Sequence, residues 1–385
     1  MMEGTDLARI RPFLATLGRT PTPADVAEAM RAEHLLVSDA ALMAAVEALR
    51  RESLGAGALD PLLHTPGVTD VLVNGPDQVW VDRGAGLEPA GITFESEAEV
   101  RRLATRLAAA VGRRLDDGVP YVDGRLADGT RLHAVLAPIA APGTCVSLRV
   151  PSRHRLSLAD WVANGALPER GAILLRMLVA ARRAFLISGG TGTGKTTLLA
   201  TLLGLVPPHE RLLIVEDSRE LQPDHPHCVR LEARHPNAEG AGGITLTDLV
   251  RQALRMRPDR LVLGEVRGAE LRDLLIAMNT GHEGGCGTVH ANSADDVPAR
   301  LEALGALGGL DRAAVHAQAA AALDVVVHLQ RDRAAHGQGR RRVATIATVQ
   351  RRRDLVEVVP AVEFDAAGGA RPGPGLADLE RLLTR

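Results

Sequence analysis

Aromatic residues are scarce in this sequence and make up only 2% of its 385 residues. Hydrophobic residues nevertheless account for 46%, so any core must be built from leucine, valine, isoleucine and alanine. Proteins that bind single-stranded nucleic acid stack its bases on aromatic side chains. The composition therefore argues against direct nucleic-acid binding. The formal net charge of −2 gives no overall attraction to DNA or to anionic lipid.

Cysteine is also rare, and Cys145, Cys228 and Cys286 lie far apart. They match neither a zinc-ligand spacing nor a disulfide framework, which favours a reducing compartment. No apolar run approaches the roughly 18 residues that a membrane span needs. The N-terminal segment lacks the apolar centre of a signal peptide. We therefore expect a cytoplasmic protein, and peripheral association with the inner face of the cell membrane stays open.

Hydrophobic patterning divides the chain into five segments. Apolar residues at helical spacing predict a helical N-terminal region over 1–55, and short β runs around one long helix predict an α+β domain over 56–150. A linker is expected over 151–165. Strands that alternate with helices over 166–330 are typical of a parallel α/β sheet. Residues 331–385 are expected to form a β-hairpin with basic edges and a flexible C-terminal tail.

The most informative stretch is ISGGTGTGKTTLL, residues 187–199, which contains the spacing G-x-x-x-x-G-K-[ST] of a phosphate-binding loop. Its glycines let the backbone curl so that several N–H groups point at one anion. Lys195 is expected to contact the β- and γ-phosphates and Thr196 to bind Mg²⁺. An apolar run before the loop predicts a buried strand, and the run after it predicts a helix whose N-terminus favours phosphate. The predicted nucleotide-binding residues are Gly189, Gly190, Thr191, Gly192, Thr193, Gly194, Lys195, Thr196 and Thr197.

Acidic residues follow two further apolar strands. Glu216 and Asp217 come directly after the strand predicted from 211, and Glu220 lies one turn later. Glu265 ends the next apolar strand, where a Walker B motif usually has aspartate. Because ligands bind at the carboxyl ends of parallel strands, these carboxylates are predicted to lie near the phosphates. Glu265 is expected to help hold Mg²⁺, and either Glu216 or Glu220 to activate the attacking water.

Two histidines flank a short predicted strand in the glycine-rich stretch TGHEGGCGTVHANS. We expect His282 and His290 to sense the γ-phosphate rather than to bind zinc, because no third ligand has zinc spacing. Arginine is dense in the segment 56–150, and arginines on adjacent strands are candidates for a finger that reaches the γ-phosphate.

These stretches together resemble the secretion ATPase superfamily, which includes the motors of type II and type IV secretion, type IV pili and Tad/Flp pili. GGTGTGKTT resembles the phosphate loop of that family, IVEDSREL its Asp box, LRMRPDRLVLGEVRG its Walker B region and TGHEGGCGTVHANS its His box. The upstream stretch VTDVLVNGPDQVWVDRG resembles the N-terminal domain of the Tad/conjugal-transfer branch. One departure is the stretch GCGT at 285–288, where the family usually has Ser-Leu-Ser-Thr.

The resemblance implies a fold and a function. The fold is α/β, a RecA-like P-loop NTPase core with a smaller α+β, PAS-like N-terminal domain. The function is Mg²⁺-dependent ATP hydrolysis by a homohexamer that works with inner-membrane platform proteins to power secretion or Tad/Flp pilus assembly. In that branch Arg131 and Arg149 match arginines that approach the γ-phosphate. A DNA-transfer ATPase of a conjugation system and a non-hydrolysing ATP-sensing scaffold are the alternatives, and the cargo and the direction of work stay open.

Overall fold

A computed structural model describes residues 9–10, 12–14, 17, 22–35, 37–39, 41–46, 55–84, 86–151, 155–234, 236, 241–281, 283–332 and 339–384. The chain divides into two compact units, Met1–Ser152 and Arg153–Arg385. Within the described ranges, each unit contains its own β-sheet. No helix in these ranges combines the length and the apolar character that a membrane crossing requires.

The first unit opens with helical structure. Helix α1 (Pro23–Ala32) begins after Thr22, whose side chain accepts a hydrogen bond from the backbone of Asp25, while the Asp25 carboxylate accepts one from the backbone of Thr22. This reciprocal pair is a capping box. Residues 41–46 are also helical, and a small cluster that includes Val26 and Ala45 is buried in this region. Much of the predicted helical region 1–55, including residues 1–8 and 47–54, lies outside the described residues.

An antiparallel sheet and one long helix form the rest of the first unit. The sheet has the order β3-β2-β1-β6-β5-β4 among the described strands. Val100, Leu103 and Leu107 recur at helical spacing on the long helix and are buried against the sheet in one core. The elements are α2 (Asp60–Leu63), β1 (Asp70–Asn74), β2 (Val79–Asp82), β3 (Leu87–Pro89), α3 (Glu97–Ala110), β4 (Tyr121–Arg125), β5 (Arg131–Val135) and β6 (Cys145–Arg149), with a 3₁₀ turn at Gly57–Leu59.

The second unit is built on a larger, mixed sheet. Its strands are β7 (Phe185–Gly189), β8 (Leu212–Glu216), β9 (Cys228–Glu232), β10 (Arg260–Val266), β11 (Cys286–His290), β12 (Val325–Arg331), β13 (Arg341–Arg352), β14 (Leu355–Phe364) and β15 (Ala370–Pro372). Their order is β15-β14-β13-β12-β7-β11-β10-β8-β9. The strands from β12 to β9 are parallel, and β13 to β15 continue the sheet antiparallel.

Helices cover both faces of this sheet, which explains the continuous apolar runs of its central strands. On β7, Phe185 and Ile187 enter one core and Leu186 enters the other. Parallel strands buried on both faces are typical of α/β folds. The helices are α4 (Leu158–Ala163), α5 (Glu169–Ala180), α6 (Lys195–Leu203), α7 (Leu246–Ala253), α8 (Glu270–Asn279), α9 (Val297–Leu307), α10 (Arg312–Ala322) and α11 (Leu376–Leu383), with a 3₁₀ turn at Leu254–Met256. The predicted α/β class with a smaller α+β unit is confirmed.

The segment expected as a linker over 151–165 contains a packed helix. Leu158 and Trp161 of α4 are 2% and 4% exposed and belong to a core of the second unit. The Trp161 indole N–H donates to the hydroxyl of Thr201 on α6 at 3.1 Å. This helix is therefore part of the second unit, and the division between the units falls after residue 152.

The expectation of a flexible tail at the C-terminus differs from the structure. Strand β15 pairs with β14, and Leu379 and Leu383 of α11 are buried in the core. The Gly/Pro-rich composition reflects close backbone packing, because a Cβ on Gly373 would lie 2.3 Å from the carbonyl oxygen of Pro360. Strands β13 and β14 form the expected antiparallel hairpin, which extends the main sheet, and the segment expected as a flexible tail adds β15 and α11 to this unit.

A buried ion pair ties the amino ends of two strands to a helix. Arg260, which is 1% exposed, donates to both carboxylate oxygens of Glu210 at 2.7 and 3.3 Å. It also donates to the carbonyl of Val179 at 3.0 Å. Removing one partner of such a pair leaves a buried charge without compensation.

We predict that Glu210→Gln lowers the free energy of unfolding by about 3–5 kcal/mol, because the Arg260 guanidinium stays buried without its carboxylate. Urea unfolding of the full chain measures this. The control is Glu357→Gln, which makes the same chemical change in an exposed pair with Arg352 and should alter stability little. Equal losses in the two variants would contradict the prediction.

Candidate active site

Four neighbouring parallel strands place chemically active residues at one edge of the second sheet. Their order is β7, β11, β10 and β8, and they end at or near Gly189, His290, Glu265 and Glu216. Parallel strands present their carboxyl ends on the same side, where ligands bind in open α/β sheets. The structure thus brings together the predicted phosphate loop, the Asp box, the Walker B acid and the second histidine.

The phosphate loop connects β7 to α6 in a conformation that only glycines allow. Gly194 immediately precedes α6 with a φ of 98°, a region that residues with a side chain rarely adopt. A Cβ on Gly189 would lie 2.5 Å from the carbonyl oxygen of Leu329 and 2.7 Å from the hydroxyl of Thr193. The Thr193 hydroxyl donates to the carbonyl of Gly190 at 2.9 Å and ties the loop internally. These features fit a cradle for phosphate.

Lys195 is the only lysine in the sequence and is buried at the base of this loop, with 7% of its surface exposed. Its Nζ donates to the carbonyl oxygens of Gly189 at 2.9 Å and Gly190 at 2.8 Å. The third direction of the ammonium faces His290 Nε2 at 3.3 Å. Burial lowers the pKa of Lys195 and nearby Arg267 lowers it further, while Glu265 opposes them.

A chain of charged contacts runs from Lys195 across the strand ends. His290 Nε2 lies 2.8 Å from one carboxylate oxygen of Glu265. The other oxygen of Glu265 accepts from Arg267 at 2.5 Å, and Arg267 reaches Asp217 at 3.6 Å. The pKa of His290 is lowered, first by burial and then by the charge of Lys195, and Glu265 only partly offsets this. One ring nitrogen cannot accept from Lys195 and donate to Glu265 at once, so these two contacts compete.

Glu216 is a buried carboxylate with a structural task. It ends β8, is 3% exposed, and its Oε1 accepts from the backbone N–H groups of Glu220 and Leu221, both at 2.9 Å. Its Oε2 is buried and has no hydrogen-bond partner among the described residues. The side chain packs against Gly264 of β10, where a Cβ would lie 2.6 Å from Glu216 Cγ. Burial raises the pKa of Glu216 to about 7.

The two acids between which the sequence did not decide therefore occupy different environments. Glu216 holds the backbone of the loop from within, whereas Glu220 is exposed on that loop. The sequence could not separate them because the difference comes from Gly264 on a neighbouring strand.

The remaining predicted residues are distributed as follows. Thr191 and Gly192 are exposed in the loop, and Thr196 and Thr197 lie in the first turn of α6, half-buried and exposed respectively. The predicted metal ligands Thr196 and Glu265 thus belong to elements that end or begin at the same sheet edge. Their hydroxyl and carboxylate oxygens are the donors that Mg²⁺ prefers.

The predicted arginines belong to the first unit, and one predicted histidine lies outside the described residues. Arg131 on β5 and Arg149 on β6 are directly paired across the sheet. Arg149 is exposed and Arg131 half-buried. His282 falls among the residues that the structure does not describe.

Three arginines beside the loop were missed by the sequence analysis. Arg267 follows Glu265 by two residues, and this spacing could have identified it as a site residue from the sequence. Arg331 and Arg341 are paired at the ends of β12 and β13. Arg331 Nη1 lies 3.9 Å from where a Cβ of Gly192 would be, and Arg341 Cδ lies 4.0 Å from that of Gly194. The sequence predicts Arg331 and Arg341 only as residues of a basic β-hairpin, because their proximity to the phosphate loop depends on strand order.

Comparisons with known proteins point to one family, that of type II/IV secretion system proteins. The sequence model of the family described as "Type II/IV secretion system protein" matches residues 52–363. A Mycobacterium tuberculosis protein named "Putative conjugal transfer protein" is 54% identical over 352 residues, which cover 90% of this chain and 99% of the relative. The type IV secretion system protein PtlH of Bordetella pertussis is 35% identical over 269 residues, 63% of this chain and 78% of PtlH.

A solved structure supports the fold. The Yersinia pseudotuberculosis ATPase DotB is similar with a TM-score of 0.54 and 18% sequence identity, over 77% of this chain and 78% of DotB. At this identity the likeness concerns the fold alone. The RecA-like core with a smaller N-terminal unit, expected from the sequence, is confirmed.

We predict that Glu216→Gln stabilises the protein increasingly as the pH rises. The folded-state pKa of about 7 lies above the ordinary glutamate pKa of 4.5, so the folded protein binds this proton more tightly than the unfolded chain does. Ionisation of Glu216 therefore lowers stability between about pH 5 and pH 8, by on the order of 3 kcal/mol at the upper end. Glutamine removes that loss.

Thermal melts of wild type and variant at pH 5, 6, 7 and 8 measure this difference. The gap between their melting temperatures should widen with pH, and the exposed Glu357→Gln variant should show no such trend. A gap that is independent of pH would contradict the assignment of a buried, raised-pKa carboxylate.

Proposed function

This chain belongs to the type II/IV secretion system protein family, and we propose that it hydrolyses ATP, with Mg²⁺, to power a secretion or Tad/Flp-type pilus assembly machine. The observation that carries the proposal is the buried ammonium of Lys195. It lies in a glycine-rich loop at the carboxyl edge of a parallel sheet and contacts the pair formed by His290 and Glu265.

The substrate phosphates are proposed to bind the backbone N–H groups of residues 190–196, at the N-terminus of α6, where the helix dipole favours an anion. Lys195 contributes the positive charge for the β- and γ-phosphates. Thr196 and Glu265 would hold Mg²⁺, which neutralises charge on the phosphate oxygens when bound. His290 is proposed to respond to the γ-phosphate through its shared contact with Lys195 and Glu265.

Of the two Asp-box acids, we propose Glu220 as the one that orients the attacking water. Glu216 is buried and its Oε1 already accepts two backbone hydrogen bonds, so it serves to shape the loop that carries Glu220. The exposed position of Glu220 at the sheet edge suits a group that meets substrate. Glu220→Gln should then lower kcat and leave the affinity for ATP unchanged. The assignment would be reversed if Glu216→Gln abolished kcat with the loop conformation intact while Glu220→Gln did not.

Arg131 and Arg149 are proposed to stabilise charge on the transferred phosphoryl group, an effect worth about 10³–10⁵ in rate where arginine fingers act. Their direct pairing on β5 and β6 places two guanidinium groups on neighbouring strands. Single alanine substitutions should reduce kcat far more than nucleotide affinity, and equal losses in both would contradict this role.

The working assembly is proposed to be a homohexamer at the cytoplasmic face of the inner membrane, acting on membrane platform proteins. Membership of the family and the secretion system names of its relatives support this. Mass photometry of the full chain with ATP should show a six-fold mass, and a species that stays monomeric at all concentrations would contradict a ring formed without other proteins.

DNA transfer is the second candidate function, because a relative that is 54% identical bears a conjugal transfer name. The near-neutral charge and the low aromatic content weigh against direct contact with DNA. Stimulation of ATP turnover by single- or double-stranded DNA at physiological salt would favour DNA transfer. Turnover that DNA does not stimulate would favour a function in pilus assembly or secretion.

We predict that Lys195→Met lowers kcat/KM for ATP by more than about hundredfold, because a preorganised charge in the loop is lost. The exposed Arg176→Met variant on α5, which removes a charge of the same sign from the same unit, should retain wild-type turnover. Phosphate release from the purified full chain measures both. Undiminished turnover in Lys195→Met would refute the proposed site, and tight ATP binding without turnover in wild type would favour a scaffold that senses ATP.

A further inference from the structure

A buried histidine lies directly beneath the phosphate loop and belongs to none of the sequence motifs described above. His328, on β12, is 5% exposed. Its Nδ1 lies 2.9 Å from the hydroxyl of Ser188, its partner across the parallel pair of β12 and β7. Ser188 is fully buried and immediately precedes Gly189, whose carbonyl holds Lys195. One bond of the imidazole therefore reaches the strand that delivers the loop.

The backbone of Asn292 faces the same ring closely enough to raise the pKa of His328 by hydrogen bonding. In the tautomer that carries its proton on Nε2, the ring donates to this backbone while Nδ1 accepts from the Ser188 hydroxyl. Asn292 follows His290 by two residues in the turn after β11. The contact with Asn292 therefore reaches the segment that carries His290, the histidine that contacts Lys195 and Glu265.

The strand order makes this bridge specific to the site. Strand β7 lies between β12 and β11, with Ser188 paired to Val289 on one side and to His328 on the other. One imidazole thus spans three adjacent strand ends. At the next position of each strand, Gly189 pairs with His290 and with Leu329. His290, whose Nε2 lies 3.3 Å from Lys195 Nζ, is therefore one residue beyond the strand positions that pair with Ser188 and His328.

The protonation state of His328 suits a fixed bridge. Burial lowers its pKa, Lys195 lowers it further, and Asp295 and Asp296 oppose this. A neutral ring with its proton on Nε2 satisfies both partners, whereas a proton on Nδ1 would face the Ser188 hydroxyl and remove its acceptor. An apolar residue of the same size would leave Ser188 without its partner in a buried position.

We propose that His328 is a positioning residue for ATP hydrolysis, which fixes the turn after β11, and with it His290, relative to the phosphate loop. The proposal rests on the proposed ATPase function for its kinetic consequence, but its structural part stands apart from activity. The P-loop backbone and Lys195 bind phosphate without His328, so its loss should affect the chemical step rather than binding. A displacement of about 1 Å at a reacting centre lowers a rate by up to about 100-fold.

The test uses three substitutions in the full-length chain. His328→Asn keeps an acceptor for Ser188, His328→Gln keeps a donor for the Asn292 backbone, and His328→Ala keeps neither. We expect kcat to fall about tenfold or more in His328→Ala with KM for ATP within about twofold of wild type. The Asn and Gln variants should each recover part of the lost kcat, since each restores one bond.

A matched control is available in the same unit. His316, on α10, is 2% exposed, contacts Glu302 at 2.8 Å and accepts from the backbone N–H of Val356 at 2.9 Å. It is thus an equally buried, doubly bonded histidine that does not contact the strand ends of the site. His316→Gln should lower the melting temperature and leave kcat unchanged.

Hydrogen–deuterium exchange provides a readout without turnover. In His328→Ala, exchange should rise in peptides covering residues 286–294 and 187–195, and in His316→Gln it should not. An unchanged kcat in His328→Ala, or a kcat loss matched by His316→Gln at equal stability, overturns the proposal. If the wild-type protein does not hydrolyse ATP, the proposed function fails and the hydrogen-exchange data alone test the role of His328. Unchanged protection of both segments in His328→Ala would then overturn the proposal. Loss of protection in these two segments of His328→Ala, but not of His316→Gln, would support it.

Discussion

The second unit is organised around the need to hold one buried ammonium group. A charge removed from water must be paired or hydrogen-bonded to remain buried, and Lys195 meets this with the carbonyl oxygens of Gly189 and Gly190 and with His290. The two carbonyls are available only because the backbone leaves β7 in a glycine-specific curve. That curve in turn requires β7 at the centre of the sheet, with its neighbours packed closely enough that a Cβ on Gly189 would meet Leu329.

The same ammonium begins a series of contacts that joins the ends of separate strands. His290 lies on β11, Glu265 on β10 and Asp217 just after β8, and Arg267 links the last two. Two of the three donors of Lys195 are directed to the loop, and the third is directed to His290. We expect a phosphate oxygen to compete with His290 for that donor. Binding of substrate would then change the contacts of Glu265 two strands away, which gives the site a physical means to report an occupied loop.

Part of this arrangement is readable from the sequence because the chemistry fixes residue type and spacing. The phosphate loop, the acids after apolar strands and the parallel core follow in this way. The C-terminal tail after β14 was predicted wrongly because its glycines and prolines suggest flexibility in the sequence, whereas Gly373 is required by the close approach of β14. The different environments of Glu216 and Glu220, and the proximity of Arg331, Arg341 and His328 to the loop, depend on strand order and register, which local patterns do not encode.

The central claim is that Lys195 is the phosphate-binding group of a nucleotide site. Because the chain has one lysine, protein labelled with ¹³C at lysine Cε gives a single lysine side-chain signal, and titration with Mg–ATP can be followed at this group alone. We predict a saturable shift of the signal and a rise in the pKa of Lys195 from its lowered value, since phosphate anions favour the charged ammonium. A signal and a titration curve that stay unchanged at millimolar Mg–ATP would contradict the account.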